Sequence, residues 1–390
     1  MDLNPTPHER AFREELRAWL ASNVPAPYEG SLAEESPALV AYLRAWQRRL
    51  YEGGWLGLTW PKEYGGRGLG PVEQSIFMEE MALASAPQVL GLVGIALIGP
   101  TIIAHGTEVQ KRQYIAPMLA GDKIWCQGYS EPNAGSDLGA LTTRAVADGD
   151  HFVVNGQKVW TSFAHVADYC FALVRTDPSV AKYKGITCLL IDMKSPGVST
   201  RPLRMMSGDA DFSEVFFTDV RVPASQVLGE VNGGWIVGMT ALMHERANLG
   251  GGAQVALARL VDHLAEAVHT LPRAHGSAAE DPLVRQKIAS IWIELEVFRL
   301  TAARALSRVG AGGQPGPEGS ILKLFYSDLA QRAAQSLMEI LGPYGQLTSG
   351  PSGNAPCSYL PSRGGTIEGG TSEMLRNTVA QRVLGLPKSY

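Results

Sequence analysis

The stretch QGYSEPNAGSD, Gln127 to Asp137, is followed at Trp160 to Ser162 by the short element WTS. The first segment places Tyr129, Ser130 and Ser136 around a turn centred on Gly135, offering hydroxyls and backbone N–H groups to a polar ring or a phosphate. The second sets an indole beside two hydroxyls. A Ser/Gly turn also serves as a plain surface loop. Two such segments bracketing a predicted strand pair, with a third polar segment near the C-terminus, favour a ligand site.

Outward from this stretch the periodicity changes twice. From Pro7 to Ala120 apolar residues recur at helical spacing, as in Phe12, Leu16, Trp19 and Leu20, or Leu43, Trp46 and Leu50. From about Ile124 to Leu228 short β-branched and aromatic runs, FVVNGQKVW, CFALV, ITCLLI and EVFFTDVRV, are separated by turn residues and predict a small antiparallel β domain. After Gly233 helical periods return over Trp235–Val268, Pro282–Val309 and Gly319–Leu341; with a last helix at the C-terminus they predict a four-helix bundle. The fold class is therefore α+β and multi-domain. An N-terminal helical domain spans 1–123, a middle antiparallel β-barrel domain 124–232 and a C-terminal helical bundle 233–390. The long Gly/Pro/Ser-rich segment Gly342–Gly365 reads as a functional loop because a motif follows it.

Bulk properties exclude several classes. The 390 residues carry a formal net charge of −4 without a long Lys/Arg run, which argues against nucleic acid as a partner. Cys126, Cys170, Cys188 and Cys357 are in no metal-ligand or disulfide-framework spacing, so they read as reduced thiols, mostly buried, and no metal is expected. MDLNPTPHER lacks an apolar leader core, which predicts a cytoplasmic protein. The longest apolar run, Val89–Ala104, is broken by Gly91, Gly94, Gly99 and Pro100 and reads as core helices rather than a membrane span. WPKEYGGRGLG, Trp60 to Gly70, lacks both the GxGxxG spacing and a preceding strand, so a dinucleotide fold does not follow from it.

The order of helical, β and helical segments, carrying YSEPNAGSD, KVWTS and EGGTSEMLRN, resembles the acyl-CoA dehydrogenase family over essentially the whole chain. The resemblance implies a homodimeric or homotetrameric flavoprotein that binds FAD, oxidises an acyl-CoA and passes electrons to an electron-transfer flavoprotein. It implies cofactor contacts at Gln127, Gly128, Tyr129, Ser130, Gly135 and Ser136, at Trp160, Thr161 and Ser162, and at Thr371 and Glu373. Ser162 matches the position beside the flavin N5 region, while Ser136, Arg246 and Gly369 fall on the substrate side. Two departures stand out. The loop PRAHGSAAED, with Arg273, lacks the family's Arg and Phe spacing, and Gly342–Pro343 replaces a glycine pair.

Removing an α-proton while the β-hydrogen leaves as hydride requires a carboxylate base. Many relatives carry Glu directly before Gly-Thr-Ser, but this chain has Gly369 there, with Glu368 one residue earlier. A peptide N–H remains at Gly369 to polarise a thioester carbonyl. The base is instead expected at Glu245, on a predicted stripe with Gly238, Ala241, Leu242, Leu249 and Gly252. A lone carboxylate on an apolar face tends to have a raised pKa, and HERANLGGG resembles the isovaleryl-type and long-chain-type branch. Glu245 paired locally with Arg246 is the alternative. His244 either tunes the base or is structural, Arg246 faces the site or a surface ion pair, and Trp160 contacts a ring or fills the core. Another flavoenzyme on the same scaffold, a monooxygenase or nitroalkane-type oxidase, and a non-catalytic subunit of a hetero-oligomer are the competing readings.

Overall fold

The computed structural model describes residues 4–28, 36–247, 251–270, 277–310, 318–347 and 355–387, without the side chains of 245–247, 251, 270 and 357. They form two compact units, one of 1–22, 70–86 and 246–390 and the other of 23–69 and 87–245.

In the second unit, helices α2 (Pro37–Glu52), α4 (Gly99–His105) and α5 (Glu108–Ala120) accompany the sheet. Sequence sets their limits. Ser36 caps α2 by accepting from the Leu39 N–H, and Thr107 and Gln110 form a reciprocal capping box at the start of α5. The apolar run Val89–Ala104 contains a π-helical turn, Gly94–Ile98, that leads directly into α4. The Trp60–Gly70 stretch is a loop closed on the buried Trp60 ring, with Gly68 N donating to Trp60 O at 2.9 Å and Leu69 N to Leu58 O at 2.8 Å.

Eight strands form one sheet: β1 (Trp125–Gly128), β2 (Arg144–Asp148), β3 (His151–Ser162), β4 (Tyr169–Arg175), β5 (Ile186–Asp192), β6 (Val198–Leu203), β7 (Phe212–Pro223) and β8 (Val227–Leu228). The strand order is β6-β7-β3-β2-β4-β5-β8, with β1 also on β4. Two details differ from the expected antiparallel barrel. The sheet stays open among the described pairings, because β8 has only two residues and pairs only with β5. The β1–β4 and β2–β4 pairings are parallel. The long connection from β1 to β4 is what a parallel pairing requires. The centre of β4 and nearly all of β5 are buried without alternation, whereas the first half of β7 alternates and has a solvated face. Cys126, Cys170 and Cys188 are free and buried here, as expected; the Cys357 side chain lies outside the described residues.

Helix α6 (Gly234–Ala247) falls almost entirely in this unit. The predicted single helix Trp235–Val268 is described as α6 and α7 (Gly251–Thr270). Leu249 of the predicted stripe lies outside the described residues, and Gly252 belongs to α7.

In the other unit, α1 (Pro7–Asn23) and α3 (Pro71–Leu83) accompany α7, α8 (Pro282–Gly310), α9 (Glu318–Leu341), α10 (Ala355–Gly365) and α11 (Ser372–Arg382). Ile291, Leu295 and Phe298 recur at helical spacing on α8 and share an apolar core with Leu257, Val261 and Leu264 of α7 and with Leu329, Ala333 and Leu337 of α9. Glu80 on α3 accepts from Arg13 and from Arg17, whose Nε lies 2.6 Å away, and so ties α1 to α3. The segment Gly342–Gly365, expected as a loop, contains a 3-10 turn at Gly342–Gln346 and the helix α10. Its composition is poor in helix formers, and packing on α9 overrides that preference.

Candidate active site

The first two sequence-predicted segments are brought together by the backbone. Val159 N donates to Ser130 O at 2.9 Å, so the loop after β1 lies directly against β3. The tight turn falls slightly earlier than expected, with Glu131 and Ala134 exchanging N–H···O bonds of 3.1 and 3.0 Å, while Gly135, Ser136 and Asp137 follow exposed.

Trp160 is oriented by a bulge. Lys158 pairs with Val215 and Thr161 with Ser213, so Val159 and Trp160 together oppose Glu214 alone. Trp160 consequently sits at φ 58 and is 60% exposed, its ring meeting Phe212 edge-on at 6.1 Å. A positive φ is an outlier for a bulky residue, and bulges commonly re-aim a side chain beside a site. The core-aromatic alternative for Trp160 therefore fails. Next to it, the fully buried Thr161 has an Oγ1 with no hydrogen-bond partner among the described residues, and the buried Gln127 Nε2 is in the same position. Unsatisfied buried polar atoms are costly in a native protein unless a ligand or water meets them.

A buried ion pair lies behind these two segments. Lys158, fully buried, donates to Glu131 Oε1 at 2.8 Å and to Tyr129 O at 3.1 Å. Glu131 also accepts from Thr142 N, Thr142 Oγ1 and Thr143 N at 2.6, 2.8 and 2.9 Å. Burial alone would raise the Glu131 carboxyl, but the Lys158 ammonium and the threonine donors bring it down to about 2. Neither residue was singled out from sequence. The signal existed: Phe152, Val154 and Lys158 share one face of β3, which puts a lysine on the core side.

Helix α6 joins the same unit through Tyr129, whose hydroxyl donates to Gly238 O at 3.1 Å. A Cβ at Gly238 would lie 2.9 Å from Leu173 Cδ1 and 3.2 Å from the Tyr129 hydroxyl, so a larger residue here would have to displace the Leu173 side chain. Five residues before Glu245, Thr240 Oγ1 lies 2.9 Å from His105 Nε2. Burial holds both His105 and His244 below the ordinary histidine range, and His105 lowers His244 further. Glu245 and Arg246 lie on the last turn of α6, and their side chains are outside the described residues, as is Arg273.

The C-terminal candidates occupy the other unit. Gly369 and Gly370 adopt φ of 61 and 100, a region that favours glycine. Thr371 caps α11 by accepting from Met374 N at 3.2 Å, and the Glu373 N–H, followed by a hydrogen bond with the Thr371 hydroxyl, holds the Glu373 carboxyl below its usual range. Helix α9 supports the preceding turn. Lys323 Nζ donates to Gly365 O at 2.8 Å and to Gly370 O at 2.9 Å, and Gln331 Nε2 donates to Ser362 O and Thr366 Oγ1. Glu368 is exposed, and after burial its charge is the second cause that raises the Tyr326 hydroxyl.

Three family models match this chain in order: the acyl-CoA dehydrogenase N-terminal domain over 6–122, the middle domain over 126–220 and the C-terminal domain over 232–384. The chain belongs to the acyl-CoA dehydrogenase family. It is an oxidoreductase of that family, as the motif resemblance implied. It is 39% identical over 383 residues to the acyl-CoA dehydrogenase IpdE1 of Mycobacterium tuberculosis, covering 97% of each chain. Two solved structures, the Tcur3481-Tcur3483 steroid ACAD and the ChsE4-ChsE5 complex from Mycobacterium tuberculosis, each superpose with a TM-score of 0.86 at 34% identity, covering 100% of both chains. Among the described residues there is no group of side chains suited to a metal ion and no helix long and apolar enough to cross a membrane.

Proposed function

We propose that the protein is an FAD-dependent acyl-CoA dehydrogenase that removes the α-proton of an acyl thioester with Glu245. The observation that carries the reading is the pair of buried atoms, Gln127 Nε2 and Thr161 Oγ1, without a hydrogen-bond partner among the described residues, on two segments joined by the Val159–Ser130 hydrogen bond and flanked by the re-aimed Trp160 ring. This donor and acceptor set beside an indole fits a flavin ring. Gln127, Gly128, Tyr129, Ser130, Gly135, Ser136, Trp160, Thr161 and Ser162 would hold it, with Thr371 and Glu373 completing the contacts. Bound flavin would supply the two-electron acceptor. The chain's own part is to orient the thioester through Ser136, Arg246 and the Gly369 N–H and to take the proton at the Glu245 carboxylate. The domain divisions 1–123, 124–232 and 233–390, a cytoplasmic location, an electron-transfer flavoprotein as acceptor and a homodimer or homotetramer belong to the same proposal.

The missing side chain at Gly369 supports a branched or ring-bearing acyl group. So does the 34% identity, over the whole chain, to a structure titled a steroid ACAD. Its two-part name, and that of the ChsE4-ChsE5 complex, favour a second reading of the assembly, in which this chain pairs with a different subunit.

The test is anaerobic bleaching of the flavin absorbance by straight, branched, aromatic and sterol-derived thioesters. Glu245→Gln should keep its flavin and still bind ligand while its chemical step slows ~10²-fold to 10⁴-fold, the usual loss for a general base. Glu368→Gln should be far milder. The reverse order moves the base to the turn before α11, and a protein that retains no flavin after incubation with excess FAD and desalting defeats the reading.

A further inference from the structure

The turn that carries Glu368 and Gly369 has a support that the reaction chemistry does not account for. Lys323 is 6% exposed, on the middle helix of a largely apolar core. Placing an ammonium in such surroundings is costly unless its donors are used. Its Nζ donates to Gly365 O and Gly370 O, the two ends of the turn. From either side of that span the backbone is further closed by Glu368 N to Gly364 O at 3.0 Å and Ser372 N to Thr366 O at 2.9 Å. One side chain therefore clasps both ends of a six-residue turn that contains two successive left-handed glycines. Such glycines have wide conformational freedom and do not hold a peptide in one direction by themselves.

We propose that Lys323 is a positioning residue for the substrate carbonyl: by clasping Gly365 and Gly370 it fixes the peptide N–H of Gly369, the donor that meets the thioester oxygen. This rests on the functional reading above and adds to it the group that aims the donor. Lys323 itself touches no reacting atom. A donor aimed at an oxygen contributes through its direction, so loosening the turn weakens recognition of the carbonyl and leaves recognition of the rest of the ligand unchanged.

The experiment uses the full-length, FAD-loaded protein in the Glu245→Gln background, where ligands bind without turnover. Two ligands are compared by flavin spectral titration: an acyl-CoA thioester and a CoA thioether of the same chain that lacks the carbonyl. Lys323→Met should weaken the thioester by roughly 10-fold or more, the scale of a charge-assisted hydrogen-bond arrangement lost, and change the thioether by less than ~2-fold. Amide exchange over 364–372 should accelerate, with α8 unchanged. Lys323→Arg, which keeps charge and donors, should show the same selectivity at smaller size and serves as the readout if the Met variant does not fold. Equal losses on both ligands, or none, overturn the assignment while leaving the flavin chemistry standing. A protein with native Lys323 that binds no acyl thioester overturns the functional reading and this assignment together.

Discussion

Two loops of this enzyme rest on a buried lysine, but the lysines hold them differently. Under the Tyr129–Glu131 loop, Lys158 is neutralised by Glu131 and also holds the Tyr129 carbonyl, while strand pairing and the Val159–Ser130 bond repeat the constraint. Under the Gly365–Gly370 turn, Lys323 reaches two carbonyls from a helix, and the turn itself contains glycines in left-handed conformation. The first loop is over-determined by several independent constraints. The second is held by Lys323 at its ends and by a few bonds at Gly364 and Thr366, with no strand pairing among the described residues to repeat them, so its direction depends on a few donors.

The largest expected effect tests that contrast. Lys158→Met leaves Glu131 buried with its charge uncompensated, and should destabilise the protein by about 3–5 kcal/mol in chemical denaturation. The double variant Lys158→Met/Glu131→Gln should recover much of that loss. A double variant as unstable as the single one would show that backbone geometry, not the ion pair, holds the loop. The same pair predicts an acid limit. The Glu131 carboxyl ordinarily titrates near 4.5 and in the folded protein near about 2, so its stabilisation is complete above 4.5 and is lost as pH falls from there through about 2. Glu131→Gln should flatten the acid limb of the stability profile.

A smaller effect is expected at the turn. At φ 61 an added Cβ meets the left-handed penalty, so Gly369→Ala should cost roughly 1–2 kcal/mol or displace the turn. A β-branched residue there would be worse. Steady-state kinetics should show a raised KM for thioester together with lower stability. An Ala variant as stable and active as the parent would mean that the backbone at Gly369 relaxes freely and that the turn is looser than its end contacts imply. The smallest effect distinguishes ligand recognition from packing: Thr161→Val removes a buried, partnerless hydroxyl and should leave the flavin-free protein equally stable or up to ~1 kcal/mol more stable while weakening FAD retention. Loss of stability without loss of flavin would assign that hydroxyl to the core.

Two segments of the candidate site can be read in the chain as neighbours. The order and spacing of YSEPNAGSD and KVWTS predict that they lie together, and the Val159–Ser130 hydrogen bond joins their backbones. The helices Pro282–Val309 and Gly319–Leu341 lie within a residue of where their apolar periods placed them, because packing and periodicity agree there. The helix α10 is not legible in the sequence, because Ser, Gly and Pro carry little helical preference and the contacts that stabilise it come from α9.

Sequence alone determined the order of helical, β and helical segments, the polar stretches that mark the site and the vacancy of a side chain at Gly369, since these are properties of residue type and local period. Tertiary structure decided the open edge of the sheet, the parallel pairings of β4, the bulge that turns Trp160 outward at a positive φ, and the burial of Lys158 and Lys323. Those depend on which strand lies beside which, and on which backbone oxygens are left facing a lysine once the chain has closed around it. Such pairings join residues far apart in sequence, and no local period encodes them.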